Sequence, residues 1–262
     1  MNIIVCVKQV PDTWAEKRLD PTDRTLDRTS GDQVINELDE YAVEEALRLK
    51  ETGDGSDEVT VLTMGPAGAA DALKKGLQMG ADKAVHLVDD ALHGSDALAT
   101  SYALAEVLRT LSPDLVMFGS ESTDARMSVV PAMVAERLGL PQVTFANKVE
   151  VDGTALRVQR QTEYGYDRLE ASLPAVVSVV EKINEPRYPS FKGIMAAKKK
   201  PFETRSLADA GLDAERVGLA AAWSAVEDFA ARPPRSSGTI VKDEGGDGGS
   251  KVAEYLASQK FI

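Results

Sequence analysis

The feature that most constrains this chain is an alternation of two patterns over its first half. Short runs of aliphatic and β-branched residues are each followed by a stretch whose apolar side chains recur at helical spacing. Ile3, Ile4, Val5, Cys6 and Val7 form the first run, and 59–64, 84–88 and 115–118 form three more. Near-continuous apolar runs of this length belong to strands covered on both faces, as in parallel sheets. Between them, 42–53, 69–79 and 97–108 each place their apolar residues on one helical face. Asn36 or Asp39 is placed to cap the first helix and Asp96 the third, while Gly80 is placed to end the second. Glu44, Glu45, Arg48 and Lys50 read as the first helix's wet face. Strands alternating with helices require right-handed crossovers. The predicted fold class is therefore α/β: a Rossmann-like, doubly wound, mainly parallel sheet with helices on both faces.

Open sheets of this kind bind ligands beyond the carboxyl ends of their strands. Residues 8–14 leave the first strand there, and Trp14 suits either a site lip or a packing role. Gly119, Ser120, Glu121, Ser122, Thr123 and Asp124 leave the fourth strand, ahead of a helix expected over 127–138. Small hydroxyl residues and backbone N–H groups at a helix N-terminus suit a phosphate, and they serve equally as a plain N-cap. Neither G-x-G-x-x-G after the first strand nor a Walker lysine motif is present. His86 alternates with apolar neighbours and reads as a hydrogen-bonded core residue. One cysteine excludes an intrachain disulfide, and two histidines without a Cys or Asp cluster leave little for a metal site. A net charge of −12 disfavours nucleic acid. The N-terminus lacks the pattern of a signal peptide and no stretch is apolar enough to span a bilayer, so a cytoplasmic protein without membrane insertion is expected.

From Gln142 the pattern changes. Asp152-Gly153 between alternating runs signals a hairpin, and strands over 166–173 and 175–180 are expected to extend or flank the sheet. In 184–200, Glu185-Pro186 and Tyr188-Pro189 favour extended backbone, Gly193 loosens the turn, and Ile194, Met195, Ala196 and Ala197 make a short apolar helical patch ending in Lys198, Lys199 and Lys200. An ordinary surface loop with a lysine cap fits this segment. So does a docking surface, since Phe191 and Met195 lie beside a basic run in an acidic protein. Residues 202–222 mix short helical pieces. Residues 232–238 read as a linker and 241–250 as a glycine-rich tether, after which Ser250 is expected to cap a helix containing Val252, Tyr255, Leu256, Phe261 and Ile262. That helix is suited to dock on another chain or on its own domain.

Residues 184–200 resemble the partner-recognition loop of the β subunits of electron transfer flavoproteins. The run from Leu173-Pro174-Ala175-Val176-Val177 into Asn184-Glu185-Pro186-Arg187-Tyr188 is similar to that family's signature region. The likeness covers nearly the whole chain, and is also strong at Cys6-Val7-Lys8, Ala42-Val43-Glu44-Glu45-Ala46 and Met79-Gly80-Ala81-Asp82. It implies a heterodimeric electron carrier without catalytic residues of its own. Such a carrier serves dehydrogenases such as the acyl-CoA dehydrogenases of fatty acid oxidation and passes electrons to a membrane quinone reductase or similar acceptor. FAD would sit mainly in the α subunit, enclosed on one side by residues near 11–14. AMP would be held as a structural occupant by Cys6, Asn36, Glu37, Leu38, Asp39 and Met64, and by Gly119, Ser120, Glu121, Ser122, Thr123, Asp124, Ala125, Arg126, Met127, Ser128, Val129 and Val130. Tyr188, Phe191, Ile194, Met195 and Lys198 would meet the partner, with Phe191 as anchor. The implied division is a nucleotide-binding domain over 1–183, a recognition loop over 184–200 and an arm over 201–262 that docks on the α subunit. Two departures are visible. Ala125-Arg126-Met127 is bulkier than expected at that turn, so that Arg126 would either pair with the phosphate or obstruct it. Gln161 stands where an acidic residue would meet the partner, with Glu163 as a substitute. Two alternatives are a nucleotide-hydrolysing or nucleotide-sensing α/β protein, and a bifurcating flavoprotein in which a second FAD replaces AMP.

Overall fold

Successive side chains of the first strand point to opposite sides of the sheet, and both sides are apolar. Ile3 and Val5 enter one core, Ile4 and Cys6 the other. The computed structural model describes residues 1–29, 31–53, 55–230, 233, 238, 240–243 and 245–262. In chain order its elements are β1 (Asn2–Cys6), β2 (Gln9–Pro11), β3 (Gln33–Ile35), α1 (Glu37–Thr52), β4 (Glu58–Met64), α2 (Ala70–Met79), β5 (Lys83–Leu87), α3 (Ala97–Leu111), β6 (Leu115–Gly119), α4 (Val130–Leu138), β7 (Gln142–Asp152), β8 (Ala155–Thr162), β9 (Gly165–Ser172), β10 (Ala175–Val179), α5 (Phe191–Ala197), β11 (Phe202–Arg205) and α6 (Gly248–Ser258).

The main sheet runs in the order β11-β5-β4-β1-β6-β10-β7-β8-β9. All pairs from β11 through β7 are parallel, and the β7-β8-β9 meander is antiparallel. The expected α/β sheet with added antiparallel strands is therefore present. Helices α1 and α2 cover one face through Val43, Leu47, Leu73 and Leu77, while α3 and α4 cover the other through Val107, Leu108 and Val134. From β1 the chain winds outward through β4 and β5, then returns to β6 on the other side of β1. The β1/β6 boundary is thus a topological switch point, where an open α/β sheet has its binding crevice.

Local signals explain two of the helix boundaries. Asp96 caps α3 by accepting the Ala99 N–H at 2.9 Å, and Gly80 closes α2 at φ +147°. His86 is buried, with Nε2 3.0 Å from the Gly65 carbonyl.

Several expectations need correction. Glu44 and Glu45 are buried, because the segment around Arg187 covers that face of α1. The helix expected from Met127 begins at Val130, since Arg126 and Ser128 adopt φ +51° and +55° and an α-helix cannot run through them. Gly193 lies inside α5, where an added Cβ would stand 2.5 Å from the Gln78 carbonyl oxygen; it permits close packing on α2. Residues 202–205 form an edge strand on β5 where only helical pieces were expected.

The chain divides into two units, Met1–Val226 and Glu227–Ile262. In the second unit α6 has Asp247 at its N-cap, with Ser250 inside the helix and Phe261 and Ile262 beyond its end. Most of the expected linker, Arg232 and 234–237, lies outside the described residues, as does Glu244 of the tether. Among the described residues no helix is long and apolar enough to cross a membrane, and no three His, Cys, Asp or Glu side chains are grouped to hold a metal ion.

Candidate functional site

At the switch point three segments meet: residues 6–8 after β1, the start of α1, and residues 119–130 after β6. Asn36 joins them. It occupies the N-cap position of α1, yet its side chain caps nothing. It donates Nδ2–H to the Glu121 carbonyl at 2.9 Å and accepts the Thr123 N–H at 3.0 Å, while its own N–H donates to the Lys8 carbonyl at 2.8 Å. Asp39, inside α1, accepts the N–H of Lys8 at 2.8 Å and of Gly119 at 3.2 Å. Burial pushes its carboxyl up to about 7, against those hydrogen bonds. Gly119 is required by crowding: a Cβ there would lie 2.6 Å from Asp39 Oδ1 and 2.7 Å from the Leu38 carbonyl carbon. Cys6 is buried beside Asp39, and burial followed by that carboxylate raises its thiol well above the ordinary range, which suits a lining residue rather than a nucleophile.

The far side of the loop is tied by charge. Asp124 has a fully buried side chain and accepts from Lys8 Nζ at 2.8 Å and from Arg28 Nη2 and Nε at 2.9 and 3.0 Å. Burial alone would raise its pKa, but Lys8, Ser122 and Arg28 together hold it at about 2. Glu121 accepts from Ser128 Oγ at 3.1 Å. The acidic side chains Asp39, Asp124 and Glu121 are thus engaged within the protein. Thr123 Oγ1, in contrast, is buried without a hydrogen-bond partner. A buried hydroxyl in that state calls for a ligand or a bound water. The positive φ values at Arg126 and Ser128, followed by right-handed backbone at Val129, suit a turn whose N–H groups converge on an anion. Non-glycine residues rarely take that conformation, and this loop holds two of them within three positions. Met64 ends β4 and Glu37 and Leu38 open α1 at the same edge, while Ala125, Met127 and Val130 complete the loop. Trp14 is 93% exposed, which leaves it no packing role.

The second candidate surface is α5. Helix α2 starts at the edge of the sheet that carries the 119–130 loop and ends at the opposite edge. Its last turn receives α5, with Gly193 against Gln78 and Lys200 Nζ donating to the Leu77 carbonyl at 2.9 Å. Ser190 caps α5 by accepting the Gly193 N–H at 3.0 Å. Tyr188 and Phe191 are 92% and 81% exposed, and Ile194 and Met195 are also uncovered. Lys192, Lys198 and Lys199 are exposed in the same segment.

Sequence reasoning missed Lys8 and Arg28 as supports of the loop, and Glu44 with Arg187 as supports of α5. A run of lysines or glutamates on a helix carries no mark of which one is buried. For Glu44 the available signal was its place two turns from Asn36 on a helix with a broad apolar face.

The family model for the electron transfer flavoprotein domain matches residues 23–210. The electron transfer flavoprotein subunit beta of Mycobacterium tuberculosis is 52% identical, over all of this chain and 99% of the relative. The protein of the same description from Megasphaera elsdenii is 38% identical over the full length of both. The caffeyl-CoA reductase-Etf complex subunit CarD of Acetobacterium woodii is 37% identical over 92% of each chain.

Proposed function

The chain belongs to the electron transfer flavoprotein family as a β-type subunit, and from that premise we propose that it is the β subunit of a heterodimer that takes electrons from dehydrogenases such as acyl-CoA dehydrogenases and passes them to a membrane quinone reductase or comparable acceptor. The α subunit would hold FAD, which when bound supplies the redox chemistry. This chain would keep AMP as a structural occupant, present α5 to the donor, and enclose the flavin from the edge that carries Trp14. In functional terms residues 1–183 bind the nucleotide, 184–200 meet the donor and 201–262 reach the α subunit.

The observation that carries the AMP assignment is the unpaired Thr123 hydroxyl in a loop whose carboxylates are already satisfied. Anionic phosphate entering there would meet donors, and repulsion from Asp124 is offset by Lys8 and Arg28. The residues fit a small nucleotide held by Asn36, Gly119, Thr123 and the 127–130 backbone, since the N–H groups of Ala125 and Arg126 already donate to Asp124 and to the Ser122 carbonyl.

For the donor contact the carrying observation is Phe191, uncovered on a helix that is otherwise fastened to the body. Interface energy concentrates in such aromatic anchors. Phe191→Ala in the reconstituted heterodimer should cost about 1–3 kcal/mol of donor binding and slow donor-driven flavin reduction at low donor concentration, with FAD content unchanged. Unaltered reduction kinetics would remove the anchor role.

A second reading is favoured by the similarity to the subunit of the caffeyl-CoA reductase complex: a bifurcating carrier in which FAD occupies the place of AMP. Two flavins per heterodimer would select it.

A further inference from the structure

The backbone just before Tyr188 and Phe191 is tied to α1 through one arginine. Arg187 donates from Nε and Nη2 to the Glu44 carboxylate at 2.7 and 2.9 Å, and its backbone N–H reaches the same group at 3.1 Å. Its Nη1 and Nη2 also donate to Glu51 at 2.5 and 3.1 Å. The Glu44 side chain is only 7% exposed, so its charge needs that cation. Two weaker fastenings flank the clamp. Asn184 Nδ2 donates to the Tyr41 carbonyl and to Glu45, each at 3.0 Å, and Lys200 holds the last turn of α2. Phe191, next to these ties, makes none of them.

We propose that Arg187 is a positioning residue for donor docking: by bridging Glu44 and Glu51 it keeps Tyr188 and Phe191 preformed, so that a dehydrogenase binds without first ordering this segment. The inference rests on the reading of α5 as the donor contact. A preformed segment spares the ordering cost that a mobile one incurs on binding. Lysine cannot reproduce these contacts, because its compact ammonium lacks the planar fork that pairs at two points with Glu44 and at two with Glu51.

The test uses the heterodimer and an acyl-CoA dehydrogenase reduced by its acyl-CoA, with Arg187→Ala, Arg187→Lys, Glu51→Gln and Phe191→Ala. Steady-state KM and kcat for flavin reduction are read together with amide hydrogen exchange over 188–197. Both Arg187 variants should raise KM for the dehydrogenase about tenfold, leave kcat and FAD content unchanged, and speed exchange in that segment alone. Glu51→Gln, which keeps the buried pair, should fall between them and the parent. A parental KM in Arg187→Lys, exchange unchanged over 188–197, or exchange raised throughout the chain with loss of FAD would each overturn the proposal. If Phe191→Ala raises KM and the Arg187 variants do not, the clamp alone is wrong. If Phe191→Ala is silent as well, the docking assignment itself fails.

Discussion

Asp39 shows how a single buried carboxylate organises the switch point. It binds the N–H groups of Lys8 and Gly119, one from each of two neighbouring strand ends. With its carboxyl pushed from 3.8 to about 7 in the fold, the native state retains a proton that the unfolded chain has released. Its contribution to stability is therefore full below about pH 4 and declines as pH rises through about 7. Urea unfolding of parent and Asp39→Asn between pH 4 and 8 should give a stability difference that falls with pH across that window, and a flat difference would contradict the assignment. Residue roles of this kind were only partly legible. Asn36 and Asp39 stood out as polar residues at a helix start and were read as caps; their actual partners are Lys8, just beyond the end of β1, and Gly119, Glu121 and Thr123, 80 to 87 residues away, across contacts no local pattern specifies. Arg28 gave no signal, because its value comes from the fold of residues 12–32 over Asp124.

Elements were more legible, because burial on both faces leaves an apolar run in β1, β4, β5, β6 and β10 and a periodic mark in the helices packed on them. The exceptions have physical causes. Strand β11 has an edge position and exposed side chains, so Phe202-Glu203-Thr204-Arg205 lacks the apolar run that marked β1 and β4. The start of α4 was misplaced because positive φ at Arg126 and Ser128 has no glycine to announce it. Glycine inside a helix can report packing rather than a break. Gly76 in α2 would place a Cβ 2.8 Å from Val61 Cγ1 on β4. Gly76→Ala gains about 1 kcal/mol of helix propensity but overpacks that contact at a cost of about 1–3 kcal/mol. A lower urea midpoint is expected; a higher one would show that the helix–sheet contact yields more easily than the packing suggests.

At the scale of the whole molecule the two candidate surfaces lie at opposite edges of one sheet. The loops around Asn36 and 119–130 crown the carboxyl ends of β1, β4 and β6, whereas α5 sits on the last turn of α2. A donor held on α5 would therefore leave the nucleotide edge uncovered, which fits a subunit that anchors one partner while another carries the flavin. In that account the nucleotide of this chain shapes the loop at 119–130 and takes no part in redox chemistry. The most direct check is the small-molecule content of the purified heterodimer, released by denaturation and quantified by chromatography and absorbance. One AMP and one FAD per heterodimer is the expected result; two FAD without AMP, or FAD with no second nucleotide, would contradict it.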